Sequence, residues 1–264
     1  MRDIVHYVTF PSLHEKPLSI AARLRIPAEG ASPVPAVVIL HGSAGPSDRE
    51  GGYAVEFNRA GIATLEADQW AARNLEGGAD GRPRTVPETL PDVFGALTYL
   101  AGRQPKVDPA RVGLMGFSFG GIATILASTK TYSATFARDL RFAAFMPCYP
   151  VCWMYGRVPG YEFRDLVDAP IFLLTAELDQ YDNDPGAGDK LVASLPSSDR
   201  ARVSTMTMPG CHHGFDMPDT DMEVNDPSSN RGAGGTAIMR YNPPAAAEAH
   251  RQAVAFFLRT LAQR

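Results

Sequence analysis

The chain has 264 residues, which is long enough to bury a sizeable core, and α/β folds of this size are often single domains. Lys and Arg number 25 against 29 Asp and Glu, so the formal net charge is −4. Because no run of about five basic residues occurs, we expect no nucleic-acid partner. No apolar run reaches the ~18 residues of a transmembrane helix, so we expect no membrane span.

Cysteine use and the N-terminal sequence bear on the compartment. The first residues contain no apolar run followed by a small-residue cleavage site, so we expect no signal peptide. The three cysteines form no CxxC pair, which argues against a disulfide framework. A Cys148–Cys152 bridge stays an alternative, although chains without export signals rarely keep disulfides. We therefore expect a cytoplasmic protein.

Short β-type runs alternate with segments of helical periodicity along the chain. The run 34–40 is continuously apolar, which predicts a strand buried on both faces. The predicted strands are 4–10, 18–26, 34–40, 62–68, 111–117, 141–150, 169–177 and 201–208. The predicted helices are 49–61, 86–103, 120–128, 186–195 and 244–263. This alternation predicts a mostly parallel sheet of about eight strands with helices on both faces.

We expect one domain over residues 1–264, in which 1–33 form N-terminal strands. The stretch 216–240 is polar, glycine-rich and without periodicity, so we expect an irregular loop there. Loops of that length in compact domains are usually functional or mobile. We interpret this one as a lid or a subunit contact, with disorder as the alternative, and a subunit contact would make the protein a homodimer.

The stretch "GFSFGG" places Ser118 between an apolar strand and a helical segment. G-x-S-x-G alone is a weak signal, but this setting matches a nucleophile elbow, in which a sharp turn aims the serine oxygen out of the sheet edge. Gly116 and Gly120 avoid a collision across that turn, and Gly121 permits close packing of helix on strand. The alternative is a serine that caps the helix.

A serine nucleophile needs a base and an orienting carboxylate, which follow it in the order acid, then histidine, in this kind of fold. Asp179, Asp182 and Asp184 follow the predicted strand 169–177, and Asp179 comes first, so we expect it to be the acid. Asp182 and Asp184 are interpreted as a solvated turn. The segment lacks the third ligand position of a calcium-binding loop.

The base is expected in the loop after the last strand, where His212 and His213 stand. The turn that begins at Gly214 favours His213, with His212 as the alternative. A metal site made with Cys211 and Asp216 is disfavoured, because adjacent histidines do not share one face of a helix or strand.

Two backbone N–H groups must face the developing oxyanion. The residue after the nucleophile, Phe119, supplies one, and the loop after the third strand supplies the other. That loop reads "LHGSAGPS", and its small residues make the N–H of Ser43 the expected second donor. A simple glycine-rich turn is the alternative.

Four motifs stand in the order "HGSAG", "GFSFGG", "AELDQYDNDP" and "CHHGF", followed by the helix "AAAEAHRQAVAFF". Together they resemble the dienelactone hydrolase family of the α/β-hydrolase superfamily, from about residue 34 to the C-terminus. The resemblance implies an α/β-hydrolase fold with a triad of Ser118, Asp179 and His213.

The sequence departs from the founding dienelactone hydrolases, which carry cysteine at the position of Ser118 and a glutamate where Gly42 stands. Serine with an HG motif is typical of the esterase-like branches, so the resemblance implies general ester hydrolysis before dienelactone hydrolysis. The family's carboxylate-binding arginine lies in a stretch similar to "ADQWAARN", which makes Arg73 a candidate anion binder. An exposed arginine at a helix start is the alternative.

Aromatic residues near the expected site are candidates for an acyl or aryl pocket, since pockets are mostly apolar. They are Trp70, Tyr149 and Trp153. Aromatic residues in such positions are more often part of the core.

The leading hypothesis is a serine hydrolase that cleaves small carboxylic esters through an acyl-enzyme and needs neither a metal nor an organic cofactor. The same triad also suits lactone or dienelactone opening, thioester or peptide cleavage, or acyl transfer, because the fold does not fix the chemistry. A non-catalytic binding protein is the third hypothesis. The expected partner is a small ester or lactone.

Overall fold

A computed structural model of the chain describes residues 4–28 and 33–262. Parts of the predicted elements lie outside these residues. They are 1–3 and 29–32, within the region 1–33 that is predicted to form N-terminal strands, and Gln263, the last residue of the predicted closing helix.

Ten strands are formed by the residues that the structure describes, eight of them in one sheet. The strands are β1 (Ile4–Pro11), β2 (Ser19–Ile26), β3 (Val34–Leu40), β4 (Ala63–Asp68), β5 (Val107–Phe117), β6 (Ala144–Cys148), β7 (Ile171–Ala176), β8 (Val203–Met208), β9 (Asp221–Asn225) and β10 (Thr236–Arg240). The strand prediction for 34–40 matches β3 in both bounds, because this run is buried on both faces of the sheet.

The α-helices of the described chain follow the strands of the sheet. They are α1 (Asp48–Arg59), α2 (Leu90–Arg103), α3 (Phe119–Ala127), α4 (Lys130–Phe136), α5 (Ala187–Ala193), α6 (Ser197–Arg200), α7 (Ser229–Gly232) and α8 (Pro243–Thr260). Short 3₁₀ turns lie at Ala71–Arg73, Val86–Thr89 and Cys152–Met154. The predicted helix 86–103 therefore begins as a 3₁₀ turn and becomes α-helical at α2.

The main sheet has the order β1-β2-β4-β3-β5-β6-β7-β8. β2 is antiparallel to both β1 and β4, and every pairing from β4–β3 onward is parallel. Leu40 pairs with Gly116 and Ala176 with Met208, so the loops after these strands lie along one edge of the sheet. The fold is that of an α/β hydrolase, as predicted, and its parallel strands bring distant segments to a common edge.

The core lies on both faces of this sheet. Val38 and Leu40 belong to the core on the α2–α3 side, whereas Val37 and Ile39 belong to the core on the α1–α8 side. All four side chains are fully buried. Alternate residues of one apolar strand thus serve two cores, as expected for a parallel strand covered by helices on both faces.

The stretch 216–240 differs from its prediction as an irregular loop. β9 and β10 pair antiparallel, and α7 lies in the connection between them. Met222 and Val224 alternate with the polar residues Asp221, Glu223 and Asn225, which is a strand pattern, but it spans only five residues and four of them are exposed. We call residues 221–240 the β9–β10 excursion.

Within the described residues, no helix is both long and apolar enough to cross a membrane. The three cysteines are free thiols, so the alternative of a Cys148–Cys152 bridge is wrong.

Candidate active site

Ser118 lies on a strained turn between β5 and α3. Its backbone has φ 50° and ψ −110°, which is a costly conformation for a residue other than glycine. A Cβ on Gly116 would lie 2.2 Å from the carbonyl oxygen of Gly120, and a Cβ on Gly120 would lie 2.5 Å from that of His41. A Cβ on Gly121 would lie 2.7 Å from the Cys148 carbonyl of β6. The glycines therefore permit the turn and the close packing of α3.

The structure brings Ser118, His213 and Asp179 into one hydrogen-bonded chain. His213 Nε2 lies 2.8 Å from Ser118 Oγ, and His213 Nδ1 lies 2.7 Å from Asp179 Oδ2. His213 and Asp179 are buried, whereas Ser118 is partly exposed. With Nδ1–H donating to the carboxylate, Nε2 is free to accept the serine proton.

Backbone and side-chain contacts orient Asp179 from the loop after β7. The N–H of Tyr181 donates to Asp179 Oδ1 at 2.8 Å, so both carboxylate oxygens have partners. His213, and not the alternative base His212, lies within hydrogen-bond distance of Ser118 Oγ. The buried Nδ1 of His212 has no hydrogen-bond partner among the described residues.

Asp182 is not part of a solvated turn, in contrast to the sequence interpretation. Its carboxylate is buried and accepts the N–H groups of Cys152 and Trp153 at 3.0 and 2.8 Å. Burial, helped by the nearby Asp179, raises the pKa of Asp182 to about 6. Asp184, by contrast, is partly exposed and pairs with Lys190.

The loop after β3 lies against Ser118. A Cβ on Gly42 would lie 3.6 Å from Cβ of Ser118. The Ser43 carbonyl accepts hydrogen bonds from Trp70 Nε1–H at 3.0 Å and from the Gly78 N–H at 2.8 Å. These two bonds fix the position of the loop. Gly77, at φ 84°, permits this approach, since its Cβ would lie 2.6 Å from the Ala44 carbonyl oxygen.

His41, the first residue of this motif, is a buried structural residue. Its Nε2 accepts the Gln69 N–H at 3.1 Å, and its Nδ1 lies 2.8 Å from the Gly42 carbonyl. Burial lowers the pKa of His41, which keeps the ring neutral and suits this pair of contacts.

A small cavity of about 70 Å³ opens in front of Ser118. Its wall combines apolar side chains with two phenols and two arginines: Val86, Ile122, Met154, Tyr161, Tyr181, Arg82 and Arg84. A cleft of about 620 Å³ between the β1–β2 hairpin and the start of α1 contains none of the triad residues.

The candidate substrate residues from the sequence lie elsewhere. Arg73 forms a buried ion pair with Asp92 of α2 at 2.8 Å, so its charge is already matched and it is neither free nor at an exposed helix start. Trp70 is buried against Phe119, with ring centroids 5.1 Å apart. Tyr149 is fully buried and Trp153 donates to the Ser228 carbonyl, and neither lines the cavity at Ser118.

A buried polar cluster lies behind His213, and we call it the Tyr149 cluster. The edge of the Tyr149 ring meets the His213 ring with centroids 4.8 Å apart. Asp216 accepts the hydroxyls of Tyr149 and Tyr53, at 2.5 and 2.7 Å. The members are Tyr53, Tyr149, Asp216, Arg49 and Glu50.

Arg49 and Glu50 supply an ion pair at 2.7 Å to the Tyr149 cluster, and Arg49 also donates to the Tyr149 hydroxyl. Burial by itself disfavours the charge, but Glu50, Tyr149 and Asp216 raise the pKa of Arg49 above its usual value. Burial, with Asp216 nearby, raises the pKa of Tyr149 well above its usual range. The phenol therefore stays protonated and donates.

A second cluster lies on the cavity side of His213, and we call it the Tyr181 cluster. The Tyr181 ring lies 4.3 Å from the His213 ring, and its hydroxyl donates to Asp226 at 3.1 Å. Arg82 donates to both oxygens of Asp226, at 2.8 and 2.9 Å. The Ser228 N–H completes the cluster at 2.8 Å.

No sequence motif signals either cluster. The sequence around Asp216 suggests only a disfavoured metal site, and Arg82 stands in a glycine-rich stretch with no chemical motif. The available signal is Tyr181, which lies within the motif "AELDQYDNDP" two residues after Asp179, but nothing in the sequence pairs it with Asp226.

The sequence pattern of the dienelactone hydrolase family matches residues 20–261. Among curated proteins, none matches the sequence at a significant level.

Several solved structures are similar in fold. A dienelactone hydrolase-like promiscuous phosphotriesterase from metagenomic libraries has a TM-score of 0.69 at 16% identity, covering 98% of this chain and 99% of that one. A thermophilic carboxylesterase from a metagenomic library has a TM-score of 0.65 at 19% identity, covering 100% and 92%. An esterase from Pyrobaculum calidifontis has a TM-score of 0.66 at 17% identity, covering 96% and 84%.

Proposed function

Since the chain belongs to the dienelactone hydrolase family, we propose that it is a serine hydrolase of small carboxylic esters, with Ser118, His213 and Asp179 as its catalytic triad. The observation that carries this proposal is the chain of hydrogen bonds at 2.8 and 2.7 Å that joins the strained serine to the acid. Nucleophile, base and orienting group are thus within the reach that acyl transfer requires.

In the proposed reaction, Ser118 Oγ attacks the ester carbonyl while His213 Nε2 takes its proton. The imidazolium is stabilised by Asp179, and it then protonates the departing alkoxide. Water, deprotonated by His213, attacks the acyl-enzyme and releases the carboxylic acid and the free serine. The N–H groups of Ser43 and Phe119 are the proposed oxyanion donors, supported by the packing of the β3 loop against Ser118.

Lactone opening is the second candidate, favoured by membership of the dienelactone hydrolase family. The serine at position 118 supports ester hydrolysis first, since the founding members use cysteine there. We expect a cytoplasmic enzyme. A panel of one p-nitrophenyl ester, one lactone and one thioester ranks the candidate substrates.

The test is Ser118→Ala. We expect kcat/KM on p-nitrophenyl acetate to fall by about 10³-fold or more, because the nucleophile is lost while the fold is kept. Ser133→Ala on α4 is the matched control and retains wild-type turnover. A fluorophosphonate should label the wild type at Ser118 and leave the variant unlabelled. Wild-type-like turnover by Ser118→Ala would contradict the assignment.

A further inference from the structure

The β9–β10 excursion packs onto the acid loop of the candidate site. The N–H groups of Asn230 and Arg231 donate to the carbonyls of Gln180 and Tyr181, at 2.8 and 2.9 Å. The Ile238 N–H donates to the Gln180 side chain at 3.2 Å. The excursion is therefore bonded to the residues that directly follow Asp179.

Asp226 is the centre of this attachment. Its side chain is 1% exposed, yet it accepts four hydrogen bonds, from Arg82, Tyr181 and the Ser228 N–H. Burial alone would raise the pKa of Asp226, but the Arg82 and Ser228 donors lower it below its usual value. A buried carboxylate matched in this way holds its donors in one arrangement.

The donors of Asp226 are also walls of the cavity at Ser118. Arg82, Tyr181 and Ser228 line it together with the α3 residues Phe119 and Ile122. The Arg82 side chain is 16% exposed, so it can turn into solvent when the Asp226 carboxylate no longer holds it.

We propose that Asp226 is a positioning residue that holds Arg82 and Tyr181 as the outer wall of an acyl subsite, and thereby restricts the enzyme to short acyl groups. This inference rests on the proposed ester hydrolysis. The cavity of about 70 Å³ is roughly half of the ~150 Å³ that accommodates benzene in an engineered protein cavity. It therefore suits acyl chains of about two to four carbons. Loss of the Asp226 contacts that hold Arg82 and Tyr181 would admit longer chains.

The experiment measures kcat/KM for p-nitrophenyl acetate, butyrate and hexanoate. In the wild type we expect a steep fall from butyrate to hexanoate. In Asp226→Asn, which keeps the shape but removes the charge that holds Arg82, we expect the hexanoate-to-acetate ratio to rise about tenfold. Each methylene group that is buried in an apolar site should raise kcat/KM roughly fourfold.

Two further variants separate a positional effect from a general loss of structure. Met154→Ala enlarges the same cavity without touching the Tyr181 cluster, and it too should raise the ratio. Asp221→Asn removes the exposed Arg240 pair of the same excursion and should leave the ratio at the wild-type value. If Asp226→Asn does not fold, Tyr181→Phe removes one hydrogen bond from the cluster and should also raise the ratio.

An unchanged ratio in folded Asp226→Asn or Tyr181→Phe overturns the inference, and so does an equal rise in Asp221→Asn. Failure of the proposed function looks different, because the wild type then cleaves none of the esters. In that case the dissociation constants of butyrate and hexanoate, measured by titration calorimetry, decide the inference. Asp226→Asn must tighten hexanoate binding relative to butyrate, and an unchanged relative affinity overturns it.

Discussion

Similar groups of side chains lie on the two sides of the His213 ring, but their surroundings differ. On each face a tyrosine ring packs on the imidazole, at 4.8 Å for Tyr149 and 4.3 Å for Tyr181. Each phenol donates to a buried aspartate, Asp216 or Asp226. An arginine completes each cluster, but only the Tyr181 cluster borders the cavity at Ser118.

We therefore expect different roles for the two clusters, although each packs a tyrosine ring on His213. The Tyr149 cluster joins α1, the end of β6 and the loop of His213 within the core, so its loss should reduce stability and displace the base. The Tyr181 cluster joins the excursion to the cavity wall, so its loss should alter which acyl groups enter. The loss of one partner from a buried polar network costs most stability where water cannot replace that partner.

The largest expected effect comes from Arg49→Met in the Tyr149 cluster. The substitution leaves the Glu50 carboxylate, 4% exposed, without its cation, and we expect the free energy of unfolding to fall by about 3–5 kcal/mol. Urea denaturation measures this change. Arg59→Met, on the exposed face of the same helix, is the control and should change stability little. Similar small effects in both variants would show that the buried ion pair does not stabilise the fold.

A smaller effect is expected from removing one hydroxyl on each face. Tyr149→Phe leaves the buried Asp216 short of a donor, so the free energy of unfolding should fall by about 1–3 kcal/mol. Tyr181→Phe should cost less, because Asp226 keeps Arg82 and Ser228. We expect Tyr149→Phe to lower kcat at an unchanged hexanoate-to-acetate ratio, and Tyr181→Phe to raise that ratio. If both variants change the same parameter, the two faces do not have separate roles.

The smallest effect concerns Asp182, beside Asp179 of the proposed triad. Its pKa is raised from 3.8 to about 6, so the folded protein holds a proton that the unfolded chain has released. The free energy of unfolding of the wild type should therefore fall, by about 2 kcal/mol at most, as pH rises from about 4 to about 6.

Denaturation of Asp182→Asn at pH 4 and pH 7 tests this dependence, because the variant lacks the titrating group and should lose that part of the slope. Asp184→Asn is the matched control. Its carboxyl has a pKa lowered chiefly by Lys190, so its removal should not reproduce the change. An identical slope in Asp182→Asn and the wild type would contradict the prediction.

Much of the candidate site could be predicted from local sequence. The elbow at Ser118 needs glycines within the same short stretch, and the strand and helix beside it have clear apolar patterns. Asp179 and His213 follow predicted strands, and the order of these motifs indicated that they would meet. The pocket residues could not be predicted, because Arg82, Tyr181 and Asp226 come from three segments with no shared periodicity.

The sequence by itself determined the alternation of strands and helices that gives the α/β fold, the buried strand at 34–40 and the order of Ser118, Asp179 and His213 along the chain, since each depends on short-range pattern. Tertiary structure alone decided that Arg73 is paired with Asp92, that Asp182 is buried, and that 221–240 forms strands over the site. These outcomes depend on which charges and surfaces meet across distant segments. A polar residue exposed in one fold can be a buried partner in another, and its local sequence is the same in both.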